Sequence, residues 1–411
     1  MNIRSSIYIF LSILIFQVNA IFRTNVLQPY NIFLQPDPRN ETRFSFQLGY
    51  EGICSTQAFT PRVDGASNVL QIFQCKQDAI AAFKGFAPET DAGQYAQIFD
   101  INDDNSTHGI FTPHAKLIIP LNGMLGIQGR LAHNVWLHAY IPFLYAELSD
   151  VCWREHNEKT EFENNNFPQL LQTVGKVGCL DLFNGWKRLG FGDTVVFVKW
   201  QQDFWQMKPI LRNVRLSFRG GLNFPTGKKE DINKLLALPF GYDQGYGVYF
   251  AGNLNLFMNY DWRFMLDLEF LQLFGNTKTR RIKTDIAQTD LLLIARDCVY
   301  VDPGFTQQYS FMLEKRSIYK GLSASLIYQY FKHNDDTYYP TTNFGNFQII
   351  NDAESVQEYT THQFIFKLNY EFNQYATSGS RPNLMLFGKY GFNGKRAILT
   401  SSVGLQFTYA F

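Results

Sequence analysis

The feature that most constrains this chain is an alternating pattern that recurs along its length and also ends it. In the last nine residues, VGLQFTYAF, every second position is apolar: Val403, Leu405, Phe407, Tyr409 and Phe411. Successive side chains of a strand point to opposite faces of its sheet. The terminus therefore predicts a strand with one large apolar face and one small polar face.

The same period of two recurs in eleven further stretches. In WRFMLDLEFL (262–271), Trp262, Phe264 and Leu266 share one face, and Arg263 and Asp267 point the other way. The composition agrees, because 39 Phe and 22 Tyr favour strands. The predicted strands are 42–51, 115–131, 134–148, 193–205, 214–224, 246–259, 262–271, 307–315, 321–332, 362–372, 383–392 and 396–411.

The lengths of the strands and of their connections point to a membrane. Many strands have about ten residues or more, which exceeds the usual soluble strand and suits a tilted strand that crosses a bilayer. Short connections at 132–133, 206–213, 260–261, 316–320 and 373–382 alternate with long ones at 52–114, 149–192, 225–245, 272–306 and 333–361. This rhythm is typical of outer-membrane barrels. The predicted fold is all-β, a transmembrane antiparallel up-and-down β-barrel of about twelve strands (roughly ten to fourteen), with long extracellular loops and short periplasmic turns.

Closure of the barrel explains the apolar ending. In lipid every backbone donor and acceptor needs a partner within the protein, so a spanning sheet must close on itself. We expect the last strand to pair with the first and to expose Phe407, Tyr409 and Phe411 at the interfacial girdle. This terminus also resembles the assembly signal of bacterial outer-membrane proteins, which implies the barrel-assembly machinery and outer-membrane lipid as partners. A secreted β-sandwich is the alternative.

The N-terminal end has the layout of a signal peptide. Arg4 precedes the apolar run Ile7 to Phe16, and Ala20 supplies a small residue for cleavage. We therefore predict a signal peptide at 1–20 and one barrel domain at 21–411; an uncleaved anchor is the alternative. The net charge of +1 gives no indication of a nucleic-acid partner.

Five cysteines are an odd number for an exported chain. Cys54 with Cys75 and Cys152 with Cys179 are candidate disulfides that would leave Cys298 free, and unpaired cysteines are the alternative. No histidine and cysteine pattern has metal-ligand spacing, so we predict no metal site and no cofactor.

The polar faces of the predicted strands should line the barrel interior. Cations gather on the early strands and acids on the later ones, a split that would favour polar or anionic solutes in a water-filled lumen. The alternative is that facing charges pair and fill a narrow barrel. The predicted lining residues are Arg43, Lys116, Arg130, Lys199, Arg215, Arg219, Arg263, Asp267, Glu269, Glu314, Lys367 and Glu371.

Three further hypotheses concern the long loops and possible catalysis. The long loop 52–114 would serve as a gate or plug, or lie outside as a cap. A barrel-embedded hydrolase needs an outward Ser and His pair, and only His362 approaches such a position. The loop 333–361, rich in Asn, Thr and Tyr, suits an adhesive or structural surface protein.

Two short motifs carry a family resemblance. Gly190-Phe191-Gly192-Asp193 precedes a strand, and Pro225-Thr226-Gly227 follows the next one. Their order resembles the outer-membrane proteins of the meta-pathway of phenol degradation, distant relatives of the long-chain fatty-acid transporters. Both motifs are also ordinary turn chemistry. The resemblance implies passive uptake of a small, hydrophobic molecule through a gated barrel.

The sequence thus predicts a bacterial outer-membrane channel or passive transporter for a small solute, and not an enzyme. Its alternative is a surface barrel that acts through its loops.

Overall fold

The alternating stretches form strands that each pair antiparallel with the next strand along the chain, in a computed structural model. The structure describes residues 20–22, 43–61, 65–98, 109–155, 167–342, 345–372 and 381–411, so the predicted signal peptide lies outside the described residues except for Ala20. The barrel strands are β1 (Phe44–Phe59), β2 (Ile110–Ala132), β3 (Val135–Glu155), β4 (Thr194–Trp205), β5 (Leu211–Phe224), β6 (Gly247–Met258), β7 (Trp262–Leu273), β8 (Thr306–Tyr319), β9 (Leu322–His333), β10 (Tyr359–Glu371), β11 (Arg381–Lys395) and β12 (Ala397–Ala410).

The last strand closes the sheet. β12 pairs with β1 from Ala397 opposite Phe59 to Ala410 opposite Ser45. At the end of this seam, the backbone N–H of Phe44 donates to the carbonyl of Phe411 at 3.0 Å, and that of Phe411 donates to Phe44 at 2.9 Å. These twelve strands therefore form a closed antiparallel barrel, and the predicted fold class is confirmed.

The connections separate by length between the two ends of the barrel. Short turns at 133–134, 206–210, 259–261 and 320–321 lie at the same end as Arg43 and Phe411. The opposite end, hereafter the mouth, carries the long loops. The predicted alternation is confirmed, although β1 runs on to Phe59 and β2 already starts at Ile110, so the first long loop is 60–109 rather than 52–114.

The outer face of the barrel carries the apolar stripes. Along β7, Phe264 is 39% exposed, whereas its neighbours Arg263 and Met265 are buried on the inner face. Along β12, Phe407 and Tyr409 are exposed while Gln406 and Thr408 are buried. The stripes therefore face outward, as lipid contact requires.

One predicted inward residue is on the wrong face. In β2, Ala115 and Leu117 are buried, so Lys116 between them belongs to the outward face. The register of β2 against β3 shifts between Ile118 and Leu121, where β2 takes three steps against two on β3. The residue added to β2 reverses its alternation, so Lys116 lies on the opposite face from Gln128, and the prediction that Lys116 lines the interior is wrong.

Loop segments pack into the mouth and form the largest apolar core. Buried side chains of 65–98, among them Leu70 and Phe83, meet Phe111 and Leu117 of β2 there. No helix in the described ranges is long and apolar enough to cross a membrane. Among the residues that the structure describes, the helices are α1 (Asp91–Ile98), α2 (Phe167–Gly178) and α3 (Phe347–Asn351), with 3₁₀ turns at Val69–Gln71, Ala81–Phe83, Asn259–Asp261 and Asp290–Leu292. Short strands are Ala20–Phe22, Ala66–Asn68, Gln77–Asp78 and Trp186–Phe191, and a separate sheet joins Asn276–Arg281, Arg296–Asp302 and Thr337–Pro340.

Four of the five cysteines are unpaired. Cys75, Cys152, Cys179 and Cys298 are free thiols, so neither predicted disulfide is present. Cys54 lies within β1, whose strand pairings fix its position in the wall. The prediction was wrong because spacing along the chain says nothing about which wall or loop a cysteine joins.

Candidate functional site: the barrel interior and its mouth

Most of the predicted lining residues do reach the interior. Arg215 is half-buried on the inner face of β5, and Arg43, Arg130 and Glu371 lie at the short-turn rim, where they are less buried. Those that are buried on the inner face are Lys199, Arg219, Arg263, Asp267, Glu269, Glu314 and Lys367.

The buried charges form ion pairs between neighbouring strands rather than one cationic wall. Arg219 of β5 donates from Nη2 to both carboxylate oxygens of Asp267 on β7, at 2.7 and 2.9 Å, and both side chains are 0% exposed. Glu269 lies 3.8 Å from the same nitrogen. Asn253 of β6 donates to Asp267 at 3.0 Å. The split between early cations and late acids is therefore neutralised at this level of the lumen.

The same arrangement recurs around the barrel. Arg263 donates to Glu314 at 3.2 Å, and Lys367 approaches that carboxylate to 3.8 Å. Arg215 binds the carboxylate of Asp203 through two hydrogen bonds, at 2.8 and 3.1 Å. Paired charges on β4, β5, β7, β8 and β10 therefore occupy part of the interior and keep it polar.

Aromatic side chains fill the space beside the Arg219 cluster. The ring of His138 stacks on Phe197 with centroids 4.6 Å apart, and Tyr249 lies 5.7 Å from Phe197. Tyr140, Phe197 and Tyr249 are fully buried. The interior is thus occupied by side chains at this level, which agrees with the narrow-barrel alternative.

Several buried polar atoms of the inner wall nevertheless have no hydrogen-bond partner among the described residues. Nε and Nη1 of Arg219 are two of them, and Nε2 of His138, Nε1 of Trp136, Oε1 of Gln128 and Oγ of Ser45 are others. A buried polar atom left dry costs about 1–3 kcal/mol. Atoms of this kind need water or a polar solute, so the interior is suited to hydration rather than to a dry core.

The two turn motifs meet at the mouth. Asp193 accepts hydrogen bonds from the backbone of Gly227 at 3.0 Å and of Tyr242 at 2.6 Å. Thr226 Oγ1 accepts from the backbone N–H of Thr194 at 2.9 Å. Gly241 has φ 132°, and a Cβ there would lie 2.3 Å from the Asp193 carboxyl carbon. The motifs therefore fasten the loop 225–246 to the top of β4 and β5.

A cavity of about 220 Å³, hereafter the mouth cavity, lies under this loop and beside the loops 274–305 and 334–358. Its lining residues are of two chemical kinds, each of which is called a wall below. The leucine wall consists of Leu235, Leu236, Leu238, Leu273, Leu291 and Leu293. The charged wall consists of the carboxylates Glu230, Asp243, Asp290 and Asp336 and of the cations Lys234, Lys278, Arg280 and Arg281.

The charged wall is tightly paired. Lys278 lies 3.1 Å from Asp243, and Arg280 bonds Asp243 and also Glu230, the latter at 2.9 Å. Burial lowers the pKa of Lys278, and the carboxylates of Asp336 and Glu230 offset part of that fall. The charges of Lys278, Asp243, Arg280 and Glu230 are therefore electrostatically coupled.

Sequence reasoning missed the mouth cavity. Its local signal in the sequence is the basic run from Lys278 to Lys283, which lies in the predicted long connection 272–306. His362 does face outward, but its Nδ1 contacts Tyr328 Oη at 2.8 Å within an aromatic cluster that includes Phe392. Within the described ranges, no three His, Cys, Asp or Glu side chains are grouped as a metal site.

The chain is similar in fold to solved outer-membrane proteins but not in sequence to known families. No protein-family model matches the chain, and no curated protein matches it. Its structure is similar to that of the COG4313 outer membrane channel from Pseudomonas putida F1, with a TM-score of 0.51 and 10% identity over 92% of this chain and 100% of that one. The chain has the fold of an outer-membrane β-barrel.

Two other solved structures are more distant. The toluene transporter TodX from Pseudomonas putida gives a TM-score of 0.30 and 9% identity, over 96% of this chain and 95% of that one. The beta domain of the Bordetella autotransporter BrkA gives 0.37 and 6%, over 90% of this chain and 100% of that one. The agreement in fold rests on the COG4313 channel.

Proposed function

We propose that the protein resides in the bacterial outer membrane and lets a small solute cross passively through its barrel. The observation that carries this proposal is the unmatched polarity of the interior, where Arg219 and His138 keep buried nitrogens that lack hydrogen-bond partners among the described residues. A purely structural barrel has no need of such atoms, since apolar side chains of similar volume stabilise an interior as well or better. The fold of the COG4313 channel is consistent with this role.

In this proposal the route is narrow and is closed at the mouth. The predicted lining residues supply its polar contacts, and the packed segment 65–98 acts as the plug. Export by a signal peptide and insertion by the barrel-assembly machinery, with Phe407, Tyr409 and Phe411 as the assembly signal, belong to the same proposal. The outward face of β12 supports it, because that face is apolar up to the last residue.

Conductance across a planar bilayer tests the proposal. The double change Arg219→Ala with Asp267→Ala removes two large buried side chains from the interior and leaves Glu269 as the charge at that level, so we expect the unitary conductance to rise above that of the unaltered protein. The matched control is Lys187→Ala with Glu147→Ala. That ion pair, 3.2 Å long, lies on the outer face, and its loss should leave conductance unchanged.

Two results would remove the channel proposal. One is a lack of conductance in both the unaltered protein and the Arg219 and Asp267 variant, once native folding is shown by heat-modifiable migration. The other is an equal conductance change in the outer-face control.

The surface-protein alternative has an observation of its own. Tyr300 and Tyr339 are directly paired across the extracellular sheet with ring centroids 6.1 Å apart, and Phe347 lies 5.5 Å from Tyr339. All three rings are more than two-fifths exposed, at 41%, 44% and 44%. Exposed aromatic rings of this kind favour contact with another surface. A protein that binds cells but shows no conductance would support that alternative.

A further inference from the structure

Three guanidinium groups meet around one buried ring at the short-turn end of the lumen, hereafter the arginine cluster. The guanidinium carbons of Arg215, Arg263 and Arg316 lie 5.0, 5.2 and 4.8 Å from the ring centroid of Phe257. Phe257 is an inward residue of β6 and is only 6% exposed. Any two of the three cations are therefore at most about 10 Å apart, and they repel one another.

The carboxylates beside the arginine cluster are too few to balance it. Asp203 accepts two hydrogen bonds from Arg215, at 2.8 and 3.1 Å. Glu314 is shared by two cations, because it lies 3.2 Å from Arg263 and 3.8 Å from Lys367. Together with the third arginine of the cluster, four cations therefore face two carboxylates.

The excess of positive charge belongs to this end of the lumen. Nearer the middle, the charged residues of the inner face are equal in number, with Lys199, Arg219 and Lys389 against Glu51, Asp267 and Glu269. Toward the short turns, those of the described residues are Arg43, Arg130, Arg215, Arg263, Arg316, Lys367 and Arg381 against Asp203, Glu314 and Glu371. Adding Asp261 of the turn 259–261 still leaves the cations in excess.

The arginine cluster is open to a solute in the lumen. The side chain of Arg215 is 16% exposed, that of Arg263 is 11% exposed, and Arg316 is half-buried. All three belong to the inner face, so the exposed parts of these side chains face the interior of the barrel. A ring plane has two sides, so at least two of the guanidinium groups lie on the same side of Phe257 and can contact one solute.

We propose that the arginine cluster binds a small solute that carries a phosphate group. A phosphate ester brings nearly two negative charges and three acceptor oxygens, which suits a site where two positive charges are in excess. Planar guanidinium groups donate paired hydrogen bonds to phosphate oxygens. As a step in transport this assignment rests on the proposed channel, but binding itself does not require conduction.

Other classes of solute satisfy the arginine cluster less completely. A carboxylate brings one negative charge and two oxygens, so it offsets half of the excess beside Phe257. A neutral solute leaves the whole excess unbalanced, and a cation adds to the repulsion.

Calorimetric titration of the full chain in detergent, at constant ionic strength and pH 7.5, tests the assignment. We expect inorganic phosphate and methyl phosphate to bind, and acetate to bind about tenfold more weakly or worse, as the loss of one charge-assisted hydrogen bond requires. No binding of either phosphate, or acetate binding as tight as methyl phosphate binding, would overturn the assignment.

A pair of variants examines the site itself. Arg316→Gln should weaken methyl phosphate binding about tenfold, because it removes one of the three guanidinium groups. The control Arg212→Gln makes the same change of charge at an exposed arginine of the outer face of β5, and it should bind methyl phosphate normally. Equal effects of the two changes would overturn the assignment, and the ligand series on the unaltered chain decides the matter should Arg316→Gln not fold.

Conductance measured on the same preparation separates the two proposals. Phosphate binding without conductance would keep the site and remove the channel. Conductance without phosphate binding would keep the channel and remove the site.

Discussion

Removing one partner of the buried pair formed by Arg219 and Asp267 should lower the free energy of unfolding, because the other partner then stays buried without an opposite charge. Both side chains are 0% exposed, and the guanidinium nitrogen lies 2.7 Å from the carboxylate. Arg219→Met leaves Asp267 and Glu269 buried without their cation, which should lower the free energy of unfolding by about 3–5 kcal/mol. An interaction of about 4 kcal/mol between charges roughly 4 Å apart, at an effective dielectric constant near 20, is of the same size.

Replacing both partners should cost less than replacing the arginine alone. In Arg219→Met with Asp267→Leu, the acid at 267 is gone, so Glu269 alone is left without its cation, where the single variant leaves two acids. Asn253 also loses an acceptor, at a cost of about 1–3 kcal/mol. The expected order is therefore unaltered protein, double variant, then Arg219→Met, from most to least stable.

Urea unfolding of the protein in lipid vesicles, followed by tryptophan fluorescence, measures this order. The same exchange at the outer-face pair of Lys187 and Glu147 is the control, and it should show no coupling because Lys187 is 67% exposed. If the double variant were no more stable than Arg219→Met, the buried pair would not be the cause of the cost and the reasoning would be wrong.

Three further predictions concern the mouth. Asp193→Asn should release the loop 225–246, since an amide cannot accept all the hydrogen bonds of the carboxylate, and faster protease cleavage within that loop measures the effect. Hydrogen bonds from Lys332 and Lys395 lower the pKa of Glu358 to about 2 from an ordinary 4.5. The stability that Glu358 adds is therefore present above about pH 4.5 and is lost as the pH falls toward 2. The difference in melting temperature between the unaltered protein and Glu358→Gln should shrink over that range. Cys179 and Cys298 are exposed and free, so a membrane-impermeant maleimide should label them on intact cells faster than Cys75, and their failure to react would mean that they are paired or that the mouth faces the other way.

The pattern of the sequence was sufficient for most of the wall. Trp262, Phe264 and Leu266 were predicted to face outward and do so, because alternation within a strand is a local property that lipid on one side enforces. The strand ends were less well predicted, since β1 and β2 extend past the apolar stripe into the mouth, where packing against loops replaces lipid contact. Lys116 failed for a related reason, because a shift of register cannot be seen in one strand alone.

By itself, then, the sequence determined the number and direction of the strands, the outward face of each, and the alternation of turns and loops, all of which depend on residues close together in the chain. The tertiary structure alone decided which inward charges meet, as with Arg219 and Asp267, and which loop side chains enclose the mouth cavity. Those contacts depend on the tilt and stagger of strands in a closed barrel, which bring together residues far apart in sequence.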